Sequence, residues 1–322
     1  MDVFFFEAFK EEAEALEKVL PPQITAGFTW KTIQEYGDRT IPAALISIRT
    51  QSVIPINWAS ELRGILTRST GYDHITNYLQ NCRRQISCGY FPLYCNRSVA
   101  EQAAMMWMSL LRKLSQQIQQ FIVFNRDGLA GQECLQKTLL VVGVGNIGYE
   151  IVRIGQGLGM DVLGVDIVEK HEKVVYVSIE EGIRRADVIV CSMNLTPQNK
   201  AYFTYQLLKK ARSGIIFVNI ARGELSPSTV LLRLLEEKVM GGVALDVYDH
   251  ESELAVALRA SKSSEHSEVK ATLALAGHSN VILTPHNAFN TIEAIERKVN
   301  QSIQQISHFL ESGRFLWPVP TS

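Results

Sequence analysis

The stretch "TLLVVGVGNIGYEIVRIGQGLGMDVLGVDI", residues 138–167, decides the fold. Residues 138–144 form an apolar run, the composition of a strand buried on both faces. Residues 147–158 switch to a helical pattern, and "DVLGVDI" (161–167) returns to a strand. Between the first strand and the helix stand Gly143, Gly145 and Gly148, spaced G-x-G-x-x-G. In this setting the first glycine permits a tight turn, the second lets the backbone approach a pyrophosphate, and the third brings helix against strand. The helix N-terminus then offers N–H groups to phosphate charge. Asp166 closes the second strand, 21 positions beyond Gly145. A carboxylate there accepts hydrogen bonds from the ribose hydroxyls of NAD and repels the 2′-phosphate of NADP. Ile167 and Val168 follow, so no arginine stands ready for that phosphate, and NAD is the expected cofactor.

The alternation extends in both directions. "DVIVCSM" (187–193), "GIIFVNI" (214–220), "GGVALDV" (241–247) and "NVILT" (280–284) read as further strands, mostly with helices between them. Upstream, "VFFF" (3–6), "ALISI" (44–48), "GILT" (64–67) and "QISC" (85–88) read the same way, with "EEAEALEKVL" (11–20) as an amphipathic helix. Parallel neighbours need crossover connections, so this order predicts an α/β chain with parallel sheets covered on both faces. Residues 98–124 predict a long helix broken near its end, with Ser98 and Glu101 as the S-x-x-E capping box at its start. The Met105, Met106, Trp107 and Met108 cluster on it reads as core or subunit interface. Residues 291–313 predict a closing amphipathic helix, and the serine-rich 260–270 a surface loop.

A chain of 322 residues suits two domains. Lysine plus arginine (32) nearly cancels aspartate plus glutamate (33), and no basic run occurs, so neither nucleic acid nor an anionic membrane is an expected partner. The five cysteines form no CxxC pair, which predicts reduced thiols and no bound metal. The first residues carry acids where a signal peptide carries positive charge, and no apolar span has membrane length. A cytoplasmic protein is the expectation.

In an open parallel sheet, ligands lie beyond the carboxyl ends of the strands. Arg222 follows the strand ending at Ile220, Glu251 comes four residues beyond Val247, and His286 follows "VILTP". Singly, an arginine at a strand exit caps carbonyls, a loop glutamate is solvated, and a histidine satisfies local structure. Together, beside a dinucleotide site, they form a candidate catalytic set.

With these residues in place the sequence resembles the NAD-dependent D-2-hydroxyacid dehydrogenases, and most of all their D-lactate dehydrogenase branch. "STGYDHI" (69–75), "FPLYCNRSVAEQA" (91–103), "GVGNIG", "VNIARGEL" (218–225), "ALDVYDHE" (244–251) and "NVILTPHNAFNT" (280–291) carry the resemblance, in the family's order and spacing. It implies two Rossmann- or flavodoxin-like lobes with the active site in the cleft between them. The resulting expectation is a discontinuous substrate domain, 1–98 with 290–322, and an NAD-binding domain, 99–289. The resemblance also implies that Arg222, Glu251 and His286 are catalytic. Gly143, Gly145, Asn146, Ile147 and Gly148 match the pyrophosphate loop and Asp166 the ribose ligand. Met193, Asn194 and Asn199 fall where the family lines the cofactor, with Ile220, Ala221 and Asp246 nearer the nicotinamide. Thr70 and Gly71 match the loop whose N–H groups hold the substrate carboxylate, and Tyr94 and Phe289 match walls of the side-chain pocket. Relatives pair through the cofactor domain, so a homodimer is expected.

The expected reaction is reduction of a small, pyruvate-like 2-oxo acid to the D-2-hydroxy acid by NADH, and its reverse. His286 would exchange the proton, Glu251 orient and electrostatically support it, and Arg222 clamp the carboxylate. The alternatives are another 2-oxo acid (glyoxylate, hydroxypyruvate, a branched or aromatic one) or a non-catalytic, NAD-sensing corepressor-like protein.

Overall fold

Twelve strands occur among the described residues, 1–37, 40–260 and 263–320 of a computed structural model. In chain order they are β1 (Val3–Phe5), β2 (Ala26–Phe28), β3 (Leu45–Ile48), β4 (Gly64–Thr67), β5 (Ser87–Gly89) and β6 (Thr138–Val142). Then come β7 (Asp161–Val165), β8 (Val175–Tyr176), β9 (Val188–Cys191), β10 (Ile215–Asn219), β11 (Met240–Leu245) and β12 (Val281–Leu283). They form two sheets with every pairing parallel, a five-stranded β2-β1-β3-β4-β5 and a seven-stranded β12-β11-β10-β9-β6-β7-β8. The α/β class with two parallel sheets is as the strand pattern predicts. Two compact units result, Met1–Cys95 with Asn290–Ser322, and Asn96–Phe289.

In the first unit Phe4 and Phe6 of the "VFFF" run share a core with Ile46, Ile48, Trp58 and Ile65. Beside this core lies a buried charge cluster. Glu12, 1% exposed, accepts from Arg68 Nε and from Lys298 Nζ, each at 2.7 Å. Arg68 also donates to Ser47 Oγ and to the Phe6 carbonyl. Burial alone would raise the Glu12 carboxyl, but the Arg68 and Lys298 charges outweigh it and hold it at about 2 against an ordinary 4.5. A carboxyl depressed on folding contributes stability above its unfolded value, and that contribution is lost as pH falls through the folded one. Thermal melts of the wild type should therefore lose more between about pH 5 and pH 3 than melts of Glu12→Gln. At neutral pH the same substitution strands two buried cations and should cost about 3–5 kcal/mol in a urea titration. A cost under about 1 kcal/mol would mean the cluster contributes no more than a surface pair.

The second unit carries the topological switch. β6 and β9 are neighbours, yet the chain leaves β6 for β7 and β8 on one side and continues from β9 to β10, β11 and β12 on the other. Such a reversal opens a crevice beyond the carboxyl ends of the two central strands. The core beneath is apolar throughout, with Leu140, Val142, Ile189, Phe203, Phe217 and Val243 fully buried.

Several local expectations change. The 98–124 helix begins two residues earlier, as Asn96–Leu111, and resumes as Leu114–Phe121 after Lys113 adopts φ +53°. Ser98 therefore lies inside the helix, where its hydroxyl donates to the Phe289 carbonyl, and Glu101 pairs with Arg97 one turn back. The 260–270 segment is not a plain loop. One helix, Glu251–Ala260, precedes it and another, Ser267–Leu275, begins within it, capped by the His266 ring, which accepts from Glu268 N; Ser261 and Lys262 lie outside the described residues. The closing helix runs Ile292–Ser312, between a Thr291 cap and Gly313 at φ +71°. Strands β2 and β8, of 3 and 2 residues, are too short to carry a periodic signal. No helix among the described residues is long and apolar enough to cross a membrane.

Candidate active site

The glycine loop follows β6 and opens the helix Asn146–Gly157, whose N-terminus no side chain caps. Gly143 adopts φ +92°, and a Cβ there would meet Met193 N and Cα at 2.7 Å. The loops leaving β6 and β9 touch at this point, and the Ser192 hydroxyl binds them by donating to Gly143 O at 2.7 Å. Gly148 is also required by packing, since a Cβ there would lie 2.0 Å from Gly143 O. Gly145 differs. It is exposed, has φ −76°, and an added Cβ would meet nothing within 4 Å. Neither packing nor backbone strain asks for glycine there; close approach of a ligand does, and this fits a dinucleotide pyrophosphate. Asn146 and Ile147 stand beside it at the open helix end.

Asp166 ends the next strand. Its carboxylate accepts from Val144 N at 2.6 Å and from Val168 N at 3.1 Å, which tie it to the glycine loop. A carboxylate has roughly four acceptor sites, so two remain for ribose hydroxyls. Asn199 accepts from Thr196 N and donates to Asn194 O, closing the loop that carries Asn194, which is exposed. Ile220 is buried and Ala221 half-buried.

At the other strand ends, Asn219, Leu245 and Leu283 lie side by side in register, so the residues after them leave the sheet along one edge. Asn219 itself is fully buried. Its side chain accepts from Ala221 N and donates to Arg222 O and Ser226 Oγ, which turns the chain sharply at the strand exit. Arg222 Nη1 donates to Ala221 O at 2.9 Å. Gly223 then packs directly on the next connection, where a Cβ would lie 1.9 Å from Tyr248 C.

His286 Nδ1 stands 2.9 Å from both oxygens of Glu251. A carboxylate only accepts, so Nδ1 carries the hydrogen, and Nε2 is left to exchange a proton with a ligand. Each side chain is 19% exposed, wet enough to reach substrate and dry enough for the pair to act strongly. His286 has φ +52°, a left-handed conformation that costs a non-glycine residue roughly 1–2 kcal/mol. Asp246 compensates. Placed by the resemblance near the nicotinamide, it is 1% exposed, and its carboxylate accepts from Thr284 Oγ1 at 2.5 Å, Asn287 N at 2.8 Å and Ala288 N at 2.9 Å. Burial raises its carboxyl, opposed by those hydrogen bonds and by the His286 charge. The Tyr248 hydroxyl, 2.7 Å from Thr284 O, pins the same loop.

Thr70 and Gly71 are half-buried in a turn after β4, near Cys95, whose Sγ lies 3.6 Å from Thr70 Oγ1. Tyr94 is 3% exposed, its ring edge-on to Phe91, and Phe289 is 6% exposed. Asn219, Thr284, Tyr248 and Ser192 were not singled out by their sequence positions. A buried polar residue ending an apolar strand, as in "IIFVN", is the one signal that could have found Asn219, because a buried amide must be satisfied.

Residues 103–288 match the profile "D-isomer specific 2-hydroxyacid dehydrogenase, NAD binding domain". The chain is 31% identical to a D-lactate dehydrogenase of Escherichia coli (strain K12) over 69% of its length and 68% of that protein's. It is 29% identical to an aromatic 2-oxoacid reductase of Clostridium sporogenes, over 78% and 77% of the two chains. Among solved structures it is similar to a D-lactate dehydrogenase from Aquifex aeolicus complexed with NAD and lactic acid. The TM-score is 0.84 and the identity 25%, with both chains fully covered.

Proposed function

Because the chain belongs to the D-isomer specific 2-hydroxyacid dehydrogenases, we propose that it reduces a small, pyruvate-like 2-oxo acid to the D-2-hydroxy acid, and catalyses the reverse. NAD is its cofactor, and in the reduced form it supplies the hydride to the carbonyl carbon. Arg222, with its planar fork of donors, pairs with the substrate carboxylate and polarises the carbonyl. His286, as imidazolium, gives the Nε2 proton to the carbonyl oxygen; in the oxidative direction the neutral ring takes the hydroxyl proton. Glu251 holds the ring through Nδ1 and offsets its charge. The observation that carries this reading is the Glu251–His286 pair at 2.9 Å, on the same sheet edge as a glycine loop shaped for a pyrophosphate.

Around these groups, Gly143, Gly145, Asn146, Ile147 and Gly148 receive the pyrophosphate and Asp166 the ribose. Met193, Asn194, Asn199, Ile220 and Ala221 line the cofactor's course, while Asp246 acts through the His286 loop. Thr70 and Gly71 hold the substrate carboxylate, and Tyr94 and Phe289 bound its side chain, which favours a small apolar one. The aromatic 2-oxoacid reductase among the relatives favours a second reading, an aromatic substrate. A panel of pyruvate, glyoxylate, hydroxypyruvate, a branched 2-oxo acid and phenylpyruvate separates the two. Pyruvate should give the highest kcat/KM, and NADPH should serve at least about tenfold worse than NADH, because Asp166 repels its phosphate. Phenylpyruvate leading the panel would establish the second reading. Tight NADH binding with no turnover on any acid would leave an NAD-sensing role.

Two coarser features accompany the reaction. The helix Leu114–Phe121 has no buried residue, and with it Ile118, Phe121, Ile122, Val123 and Phe124 present an apolar surface on the cofactor unit, each over 60% exposed. Contiguous patches of this kind mark protein contacts, and a homodimer through this face is the reading they support; a monomeric mass in sedimentation would reject it. No disulfide forms among the described residues, which suits the reducing cytoplasm; recovery in a secreted fraction would contradict that placement.

A further inference from the structure

The turn after β4 is braced from below by three side chains in series. His74 Nε2 lies 2.9 Å from Thr67 Oγ1, Thr67 Oγ1 lies 2.6 Å from Ser69 Oγ, and Ser69 Oγ donates to Gly71 O at 2.6 Å. The direction of every proton follows from counting. Gly71 O can only accept, so the single Ser69 hydroxyl proton is committed to it. Thr67 must then donate to Ser69, and with its own proton spent it accepts from His74 Nε2–H. Only a ring protonated at Nε2 completes the series, which makes His74 its source.

The position of this series gives it meaning. Thr67 is fully buried and Ser69 is 6% exposed, so an unmatched link leaves a buried polar atom without its bond. His74 is anchored in the first turn of the helix Asp73–Cys82 and Thr67 ends β4, so both ends rest on regular structure. On the other side, Phe91 N donates to Ser69 O at 3.1 Å. Between these supports, the backbone N–H groups of Thr70 and Gly71 donate to no acceptor among the described residues. Half-buried N–H groups held in a braced turn without a protein acceptor suit an anionic ligand.

We propose that His74 is a positioning residue for substrate binding: through Thr67 and Ser69 it fixes the Gly71 peptide and so aims the Thr70 and Gly71 N–H groups at the carboxylate of the 2-oxo acid. The inference rests on the function proposed above and adds a residue outside the catalytic set. A brace of this kind acts on substrate affinity, because the donors are preorganised before the carboxylate arrives.

The test compares His74→Leu, His74→Gln and Thr67→Val with the wild type in NADH-dependent reduction of pyruvate, glyoxylate and phenylpyruvate, alongside NADH binding by fluorescence. Leucine removes the donor, whereas the glutamine side-chain amide carries one to about the same place. His74→Leu should raise KM for the best 2-oxo acid about tenfold or more, the effect of losing one buried hydrogen bond at a binding turn, with NADH affinity unchanged. His74→Gln should restore most of the loss. Thr67→Val should match His74→Leu, and the double variant should be no worse than either, because one series is broken only once. Should His74→Leu fail to fold, Thr67→Val carries the comparison. Turnover and KM unmoved in both His74→Leu and Thr67→Val overturn the role of His74 alone, as does a glutamine variant as weak as leucine. A wild type that turns over none of the three acids removes the proposed function, and this inference with it.

Discussion

Replacing His286 by alanine should lower kcat for 2-oxo acid reduction by about 10²- to 10⁴-fold, the usual contribution of a positioned general acid. NADH binding should persist, because the glycine loop and Asp166 stand on β6 and β7, away from the strand that delivers His286. The reasoning is local. Glu251 takes the Nδ1 hydrogen with both oxygens at 2.9 Å, which leaves Nε2 as the ring's only route for a proton. Glu251→Gln tests the same pair more gently. The amide still accepts from Nδ1, so the ring stays oriented, but the charge that supports an imidazolium is gone, and the loss should be smaller than that of His286→Ala. Stopped-flow turnover with a parallel NADH titration checks both. An alanine variant within threefold of the wild type, on the order of 0.6 kcal/mol, would remove His286 from the chemistry.

Arg222→Lys should cost about 10²-fold or more in kcat/KM, although it preserves the charge. Lysine cannot pair two parallel N–H groups with a carboxylate, and its compact ammonium cannot reach both the carboxylate and the carbonyl. The fold should tolerate the change. Asn219 holds this turn through the Ala221 N–H and the Arg222 carbonyl, backbone groups that lysine retains, and Gly223 keeps its approach to Tyr248. An unchanged melting temperature with collapsed kcat/KM is the expected signature. Near-normal kinetics would show that the carboxylate is met elsewhere.

How much of this was legible beforehand follows the range of each interaction. The 138–167 segment announced strand, turn, helix and strand because apolar periodicity and glycine spacing are local properties, and the structure follows them to within a residue or two. The cofactor class was legible for the same reason, since G-x-G-x-x-G and Asp166 lie within one βαβ unit. Arg222, Glu251 and His286 could be nominated because each stands just past a recognisable strand. What joins them could not. The capping box at Ser98 failed because tertiary packing drew the helix start back to Asn96 and turned the hydroxyl toward Phe289. The serine-rich stretch looked like loop because composition alone does not show Val269, Ala271 and Leu275 seated against the core.

The sequence by itself determined the alternation of strands and helices and the glycine loop, and it nominated the candidate residues for the chemistry, since each depends on neighbours a few positions away. Only the tertiary structure decided which nitrogen of His286 Glu251 engages and which it leaves open, why Asp246 is buried beneath a strained loop, and how Asn219 turns the chain at Arg222. It also revealed the series from His74 through Thr67 and Ser69 beneath the Gly71 carbonyl. Those outcomes rest on single hydrogen bonds, in several cases between groups brought together from distant parts of the chain. A hydrogen bond is set by tenths of an ångström and by the count of donors and acceptors, and neither quantity exists until the strands are laid side by side.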